Sequence, residues 1–250
     1  MIFSQAIKMT FEIDQWLSNI LKTNVYRVTP DYRITNIQSF QTCIEKYLHQ
    51  KNIFMFTKIP VNEILTANFF QQAGFKLVDT NIVLEKTISA VTDNTDNGFK
   101  IRFSVPEDQS EVEKIAENSF KYSRFHLDPG IPQKKANQIK VEWVNNYYAN
   151  KRGNWMVVAV IDNRIVGFLQ LLAGMNNTLI IDLIATDIKF RKKGIAKAMI
   201  AFAETSLKTF DKIRTGTQIS NIPAIRLYEN LAFKICQADY VFHFHNTNSV

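Results

Sequence analysis

Features that mark whole classes of protein are missing from this 250-residue sequence. No apolar run reaches the ~18 to 20 residues that a membrane-spanning helix needs. The N-terminal segment, residues 1–16, lacks the basic region, apolar core and small-residue cleavage site of a secretory signal. These absences predict a protein of the cytoplasm with no membrane partner.

Cysteine is scarce, and the usual metal-binding spacings are missing. The chain has two cysteines, Cys43 and Cys236, which stand far apart in the sequence. It contains no CxxC motif, no HExxH motif and no local cluster of Cys and His. The sequence therefore predicts two buried free thiols and no metal site.

The charge of the chain is basic but mostly dispersed. Lys and Arg number 30 against 23 Asp and Glu, a formal net charge of +7. Such a balance suits a polyanionic small ligand, a nucleic acid or an acidic membrane surface. Only residues 189–197 form a basic cluster, and no aromatic ladder or zinc-finger spacing accompanies it. A small anionic ligand is therefore favoured over nucleic acid.

A polar segment divides the chain into two parts. Residues 87–98, TISAVTDNTDNG, have neither helical nor strand periodicity, so they predict a linker. Hydrophobic patterns on both sides alternate between strand and helix. The sequence predicts an α/β protein with a smaller N-terminal domain, 1–86, and a larger C-terminal domain, 99–250. Strands are expected at 24–29, 52–59, 75–86, 99–103, 155–161, 165–173, 178–186 and 212–218, with two more closing the chain, and helices at 39–49, 62–73, 107–120, 133–148, 194–207 and 223–231.

The two parts share a faint internal repeat. Residues 64–78 can be laid on residues 222–236 without a gap, which places Phe75 opposite Phe233. A helix that ends just before an aromatic residue and a strand is common, so chance similarity stays an alternative.

The junction near Gly194 has the pattern of an anion-binding turn. An apolar strand ends at Thr186, a basic loop follows, and an Ala-rich helix begins directly after the glycine. Unpaired amides and the dipole at a helix N-terminus attract phosphate, and glycine lets the phosphate approach closely. The sequence predicts a pyrophosphate site; a solvated basic turn before an amphipathic helix is the alternative.

Residues 191–196, RKKGIA, resemble the acetyl-CoA pyrophosphate loop, Q/R-x-x-G-x-G/A, of the GNAT acetyltransferases. The resemblance implies the GNAT fold, a mixed central sheet with flanking helices, and acetyl-CoA as co-substrate without a metal. It also implies that the preceding strand splays from its neighbour to pair with the pantetheine arm, and a β-bulge would explain the splay. The implied coenzyme-binding residues are Leu183, Ile184, Ala185, Thr186, Arg191, Lys192, Lys193, Gly194, Ile195, Ala196 and Asn221.

A second segment, residues 221–233, resembles the GNAT signature N-x-x-A-x-x-L-Y-E-x-x-G-F, with Ala232 in place of the usual glycine. Asn221 is placed to cap the helix. The resemblance implies that this Asn also helps to hold the coenzyme arm, and capping is compatible with that role. Transfer of an acyl group from a thioester leaves a thiolate that needs a proton, and Tyr228 is the implied donor. The alternative for Tyr228 is a core tyrosine with a hydrated hydroxyl.

The N-terminal part lacks both chemical features. Phe70 occupies the repeat position of Tyr228, and residues 1–86 contain no basic glycine loop that opens a helix. The prediction is a degenerate GNAT-like half that precedes the catalytic domain.

The acceptor amine must lose a proton before it attacks, so a base or a water chain is required. Asp182 is the candidate base because strand alternation places it among the aliphatic Ile180 and Ile184, where a carboxylate holds a proton more readily. An aspartate satisfied by hydrogen bonds is the equal alternative.

Residues 119–143 mix aromatic and charged side chains in a loop that contains Pro and Gly, as binding segments often do. The run SRFHLD at 123–128, followed by a helix with Trp143, resembles the sugar-nucleotide N-acetyltransferases of TDP-linked amino-dideoxyhexoses. The resemblance implies TDP-4-amino-4,6-dideoxygalactose (TDP-fucosamine) or a relative as acceptor. Arg124 would then meet a phosphate, Phe125 or Trp143 the base or sugar, and His126 would join the site or remain solvated.

Other functions stay open at this point. A GNAT enzyme could acetylate another amine, such as a protein N-terminus, a polyamine or an aminoglycoside. A sensor that binds acetyl-CoA without turnover and a basic nucleic-acid binder are alternatives of different classes. A homodimer is compatible with the sequence, which does not fix the oligomeric state.

Overall fold

The computed structural model describes residues 9–88 and 98–246. Within these ranges the chain alternates between strands and helices, as the hydrophobic patterns predict. The strands are β1 Thr10–Ile13, β2 Asn24–Thr29, β3 Ile53–Pro60, β4 Lys76–Thr87, β5 Lys100–Phe103, β6 Trp155–Ile161, β7 Arg164–Ala173, β8 Thr178–Thr186, β9 Lys212–Gln218 and β10 Lys234–Asn246. The α-helices are α1 Gln15–Leu21, α2 Ile37–Leu48, α3 Ile64–Gln72, α4 Gln109–Ser119, α5 Arg124–Leu127, α6 Gln133–Tyr148, α7 Ile195–Ser206 and α8 Ile222–Asn230.

The chain divides into two compact units that are not contiguous in sequence. Among the described residues, the first contains 9–81, 127–131 and 237–246, and the second contains 82–88, 98–126 and 132–236. These limits differ from the predicted boundaries at 86 and 99 because β4 and β10 each contribute residues to both units. Residues 89–97 of the predicted linker lie outside the described residues.

In the first unit the strand order is β1-β2-β3-β10. β2 runs parallel to β3, whereas β1 and β10 are antiparallel to their neighbours. The core is rich in aromatic residues from α2, α3 and the strands. The amphipathic α2 buries Phe40 and Ile44, and its N-terminus is capped by Asn36, whose Oδ1 accepts from the Ser39 amide at 2.9 Å.

In the second unit the order is β9-β8-β7-β6-β5. β5 to β8 are antiparallel neighbours, and β8 runs parallel to β9. Helices α4 and α6 cover the antiparallel strands, with Val112, Val144 and Phe168 fully buried between them. Mixed strand directions with flanking helices confirm the predicted α/β class.

The internal repeat is confirmed and extends beyond the aligned segment. α2 and α7 have equal lengths and start 158 residues apart, and the same spacing relates α3 to α8. The turns that follow α3 and α8 also have the same hydrogen bond. The Phe75 amide donates to the Phe70 carbonyl at 3.0 Å, and the Phe233 amide donates to the Tyr228 carbonyl at 3.0 Å. The first part of the chain therefore repeats the order β-α-β-α-β of the second.

Two local expectations are wrong. The chain ends its described part in one 13-residue strand, β10, instead of two closing strands. Cys236 is exposed and Cys43 is half-buried, so neither thiol is enclosed in the core as expected. The Cys236 thiol contacts the Val83 carbonyl at 3.5 Å on the neighbouring strand β4.

None of the helices in the described ranges combines the length and the apolar content that crossing a membrane requires.

Candidate functional site

The strands β8 and β9 separate in the middle of the second unit. Their parallel pairing runs from Thr178–Lys212 to Ile181–Thr215, although both strands continue beyond these pairs. At the same point β8 carries a bulge against β7, where Asp182 is the extra residue between Ile181 and Leu183. A bulge bends the strand that carries it. Over the described residues, the edge of β8 from Leu183 to Thr186 therefore does not pair with β9, in agreement with the separation that the GNAT resemblance implies.

The turn that follows β8 exposes the N-terminus of α7. Lys192 and Gly194 adopt left-handed conformations with φ of +64° and +79°. The first intrahelical hydrogen bond runs from the Ala198 amide to the Gly194 carbonyl at 3.0 Å, which leaves the amides of Ile195 and Ala196 at the helix end. A Cβ atom on Gly194 would meet nothing within 4 Å. The helix end thus faces open space, as a phosphate site requires.

Arg191 has a different position from its two lysine neighbours. Its Nε donates to the Thr186 carbonyl at 3.2 Å, and its Nη2 donates to the Ser119 carbonyl at 3.0 Å. The guanidinium therefore ties the loop to the end of β8 and to the end of α4. Lys192 and Lys193 are exposed beside the helix end.

Tyr228 lies at the point where the strands separate. Its hydroxyl accepts a hydrogen bond of 3.3 Å from the hydroxyl of Thr215, the last β9 residue that pairs with β8. The Tyr228 side chain is 2% exposed, and burial raises the pKa of its phenol. The phenol therefore stays protonated over the physiological range.

Asn221 caps α8, as predicted. Its Oδ1 accepts from the Ala224 amide at 3.4 Å, and its Nδ2 donates to the Thr217 hydroxyl at 3.1 Å. The cap joins the start of α8 to the end of β9, so it fixes the helix that carries Tyr228.

Asp182 is surrounded by polar groups, which corrects the expected aliphatic environment. Its carboxylate accepts two hydrogen bonds from Arg152, at 2.7 and 2.6 Å, and one of 2.8 Å from Trp143 Nε1. The side-chain amide of Gln170 donates a further bond at 3.3 Å. The bulge turns Asp182 toward these donors, and sequence alternation alone cannot show such a displacement. The open alternative of an aspartate satisfied by hydrogen bonds describes this carboxylate.

Lys140 is a member of this polar group that the sequence analysis missed. It is 6% exposed, and its ammonium lies 4.9 Å from the ring centre of Phe120 and 4.7 Å from that of Trp143. Burial lowers its pKa to about 8, with smaller contributions from Arg124 and Arg152. The sequence did contain a signal for its burial, because Lys140 lies at a position that continues the stripe of buried residues along α6.

A comparison with known protein families matches the part of the chain that contains this site. Residues 120–233, which contain the splayed strands, the turn at Gly194 and Tyr228, match the Acetyltransferase (GNAT) family. The chain carries a GNAT acetyltransferase domain.

Two named proteins are similar to parts of the chain, and the match to the first is longer than this domain. The Bacillus subtilis (strain 168) spore coat polysaccharide biosynthesis protein SpsD is 29% identical over 192 residues, covering 76% of this chain and 66% of SpsD. The N-acetylaspartate synthetase of Rattus norvegicus is 33% identical over 96 residues, covering 36% of this chain and 31% of the synthetase. The chain thus spans slightly less than two thirds of SpsD and about a third of the synthetase.

A solved structure shares the fold over nearly the whole chain. The GCN5-related N-acetyltransferase from Sphaerobacter thermophilus superposes with a TM-score of 0.64 at 13% identity. The match covers 97% of this chain and 77% of that structure.

The predicted acceptor residues of the GNAT domain fall into two groups. Trp143 contacts Lys140 and Asp182, and Arg124 is close enough to lower the pKa of Lys140. Phe125 is instead buried at 2% exposure, under the guanidinium of Arg124 at 4.2 Å. The structure therefore brings Arg124 and Trp143 into the polar group and places Phe125 in the core.

Both nitrogens of His126 are engaged within its own segment. Nδ1 lies 2.5 Å from the Ser123 hydroxyl, and Nε2 lies 3.0 Å from Oδ1 of Asn137. Burial lowers the pKa of His126, which favours the neutral imidazole. The contact of His126 with substrate stays a prediction.

The first unit contains a His–Asp–His cluster that the sequence analysis missed. Oδ2 of Asp128 lies 2.5 Å from His243 Nδ1 and 2.7 Å from His245 Nε2. These residue types could hold a metal ion, and the distances are those of charge-assisted hydrogen bonds. Gly130 has to be small here, since a Cβ would lie 2.9 Å from the His245 ring. The sequence did contain a signal for this cluster, because His243 and His245 are two residues apart and therefore share one face of a strand.

Proposed function

We propose that this protein is an acetyl-CoA-dependent N-acetyltransferase that acetylates a primary amine by direct attack. The observation that carries the proposal is the separation of β8 from β9 at Asp182 and Thr215, beside the hydroxyl of Tyr228. The open end of α7 at Gly194 fits the phosphates of the coenzyme. The proposed coenzyme contacts are Leu183, Ile184, Ala185, Thr186, Lys192, Lys193, Gly194, Ile195 and Ala196, with Arg191 and Asn221 holding the loop and α8 in place.

Each residue then has a defined task. Acetyl-CoA, when bound, supplies the acetyl group as a thioester. The Tyr228 phenol keeps its proton because burial raises its pKa, so it can donate that proton to a leaving thiolate. The Thr215 hydroxyl fixes the direction of the phenol. Asp182 is the proposed proton acceptor, and the hydrogen bonds from Trp143 and Arg152 fix the position of its carboxylate.

For the acceptor we propose a nucleotide-linked amino-dideoxy sugar, such as TDP-4-amino-4,6-dideoxygalactose. The relative SpsD is a spore coat polysaccharide biosynthesis protein, which supports a sugar acceptor. The cations Arg124, Lys140 and Arg152 around Trp143 support an acceptor with negative charge. Trp143 offers an aromatic face to a base or a sugar ring.

The test is release of CoA from acetyl-CoA with a panel of amines. TDP-4-amino-4,6-dideoxygalactose is compared with spermidine, an aminoglycoside, a peptide and an acceptor-free control. We expect turnover on the amino sugar nucleotide. Turnover only on another amine would retain the acetyltransferase and reject the sugar acceptor, whereas coenzyme binding without turnover on any amine would favour the sensor.

A further inference from the structure

We propose that Lys140 forms the centre of a binding site for an anionic group of the acceptor, either a phosphate or a carboxylate. The inference rests on the proposed acetyltransferase function and specifies the chemistry of its acceptor. It concerns side chains of the second unit alone: Lys140 with Trp143 and Phe120 on either side, and Arg124 and Arg152 nearby.

The charges in this group do not balance. Asp182 is the carboxylate that acts on Lys140, and both of its oxygens are already bound by Arg152. Among the described residues, the Lys140 ammonium contacts two aromatic rings and forms no ion pair with a carboxylate. A buried cation of this kind is costly unless an anion and hydrogen-bond acceptors reach it. A ligand that carries an anion would supply them.

Lys140 lies on the buried face of α6, where the neighbouring positions are apolar. Ala136, Ile139 and Val144 are fully buried on the same helical face, so an unbranched apolar side chain suits position 140. A buried ionisable side chain at such a position is typical of functional sites.

The site also lies next to the reacting region. Trp143 contacts Lys140 through its ring and donates its indole N–H to Asp182, the bulge residue where β8 leaves β9. A ligand anion at Lys140 would therefore place the rest of the acceptor toward the splayed strands. In the proposed arrangement one acceptor molecule carries both the amine and the anion.

The experiment measures binding of three probes, thymidine diphosphate, pyrophosphate and L-aspartate, by calorimetry at pH 7.5 with CoA present in excess. Lys140→Met removes the buried charge and keeps an unbranched side chain. Lys134→Met is the matched control, since it removes one charge from an exposed position of the same helix. Thermal unfolding is recorded for each variant.

We expect Lys140→Met to bind at least tenfold more weakly than the wild type, with a melting temperature that is equal or higher. Lys134→Met should change neither quantity. Preference for the two phosphate probes or for L-aspartate identifies which anion the site takes. Equal affinity of the wild type and Lys140→Met, or failure of all three probes to bind the wild type, would overturn the proposal.

A second measurement covers the case in which Lys140→Met does not fold. Because the pKa of Lys140 is about 8, the wild type should lose affinity for thymidine diphosphate several-fold between pH 7.5 and 9.5. Constant affinity over this range would refute the anion site. Lys140-dependent binding without CoA release from any amine would instead reject the acetyltransferase function, so the two failures are distinguishable.

Discussion

Tyr228 is buried, and its hydroxyl accepts a hydrogen bond from Thr215 at the point where β8 and β9 part. We predict that Tyr228→Phe lowers kcat by about 100-fold or more, the range of a lost general acid, and leaves the Kd for acetyl-CoA nearly unchanged. Release of CoA and calorimetry with acetyl-CoA measure the two quantities. Tyr240→Phe in the first unit serves as the control, and an unaltered kcat in Tyr228→Phe would remove the phenol from the mechanism.

Gly194 combines a left-handed backbone with open space at the end of α7. Gly194→Val should reduce affinity for acetyl-CoA at least tenfold because the side chain would occupy the phosphate position. It should also cost about 1–2 kcal/mol of folding free energy through its positive φ.

Gly98→Val separates these two effects. Gly98 has a φ of +69° and open space around it, so its valine variant carries similar strain away from the loop. We expect a comparable loss of stability with normal coenzyme binding. Normal binding in Gly194→Val as well would contradict the phosphate site.

Lys140 gives stability an unusual dependence on pH. Its pKa is lowered to about 8 in the folded state, whereas an unfolded lysine titrates near 10.5. Below pH 8 the folded protein bears the full cost of the buried charge, and this cost disappears as the pH rises from 8 to 10.5.

Lys140→Met should therefore exceed the wild type in free energy of unfolding by about 3 kcal/mol at pH 7, from 1.36 kcal/mol per pKa unit. The advantage should shrink between pH 8 and 10. Urea unfolding at several pH values checks both statements, with Lys134→Met as the control. An advantage that is independent of pH would show that the charge is not its cause.

At the scale of elements, the two copies of the repeat carry different residues at one position that has a positive φ in both. The turn after α3 ends in Gly74 with a φ of +90°, and the turn after α8 ends in Ala232 with a φ of +64°. Alanine is strained in this conformation, whereas glycine is not. The glycine usual in the GNAT signature is therefore a backbone requirement that Ala232 meets at a cost.

Two reciprocal substitutions test this reasoning. Ala232→Gly should raise the free energy of unfolding by about 0.5–1 kcal/mol, and Gly74→Ala should lower it by a similar amount. A Cβ at Gly74 would approach Phe244 no closer than 3.5 Å. A steric clash therefore does not add to the effect of the backbone conformation on stability. Denaturant unfolding provides the measurement, and changes of equal sign in both variants would refute the backbone explanation.

At the scale of the whole molecule, each compact unit includes a strand segment from the other half of the chain. Residues 239–246 pair with β3 in the first unit, while residues 82–87 lie beside β9 in the second. Glu85 forms ion pairs with Lys212 and Arg214 across this second pairing. Neither half therefore contains all the residues of its own unit.

A fragment of residues 99–250 should consequently fail to unfold cooperatively. It lacks residues 82–87 beside β9, and it leaves β10 without β3, so two strand edges lose their hydrogen bonds. Co-expression with residues 1–98 should restore cooperative unfolding, measured by circular dichroism. A fragment 99–250 as stable as the full chain would show that the shared strands are dispensable.

The sequence by itself determined most of the strands and helices, although not β1, α1 or α5, and the local pattern of the turn at Gly194. Periodicity set the limits of β2, β8, β9 and α6 to the residue because side chains within an element repeat at fixed spacing. The loop at Gly194 and the cap at Asn221 were equally readable, since each depends on neighbours a few residues away.

Only the tertiary structure decided which distant residues meet. The bulge that turns Asp182 toward Arg152 and Trp143 depends on pairing with β7, and the ammonium of Lys140 meets rings from two segments. The division of β4 and β10 between the two units follows from strand pairing across more than 100 residues. Such contacts are fixed by packing and hydrogen-bond satisfaction in three dimensions, for which one sequence carries no local signal.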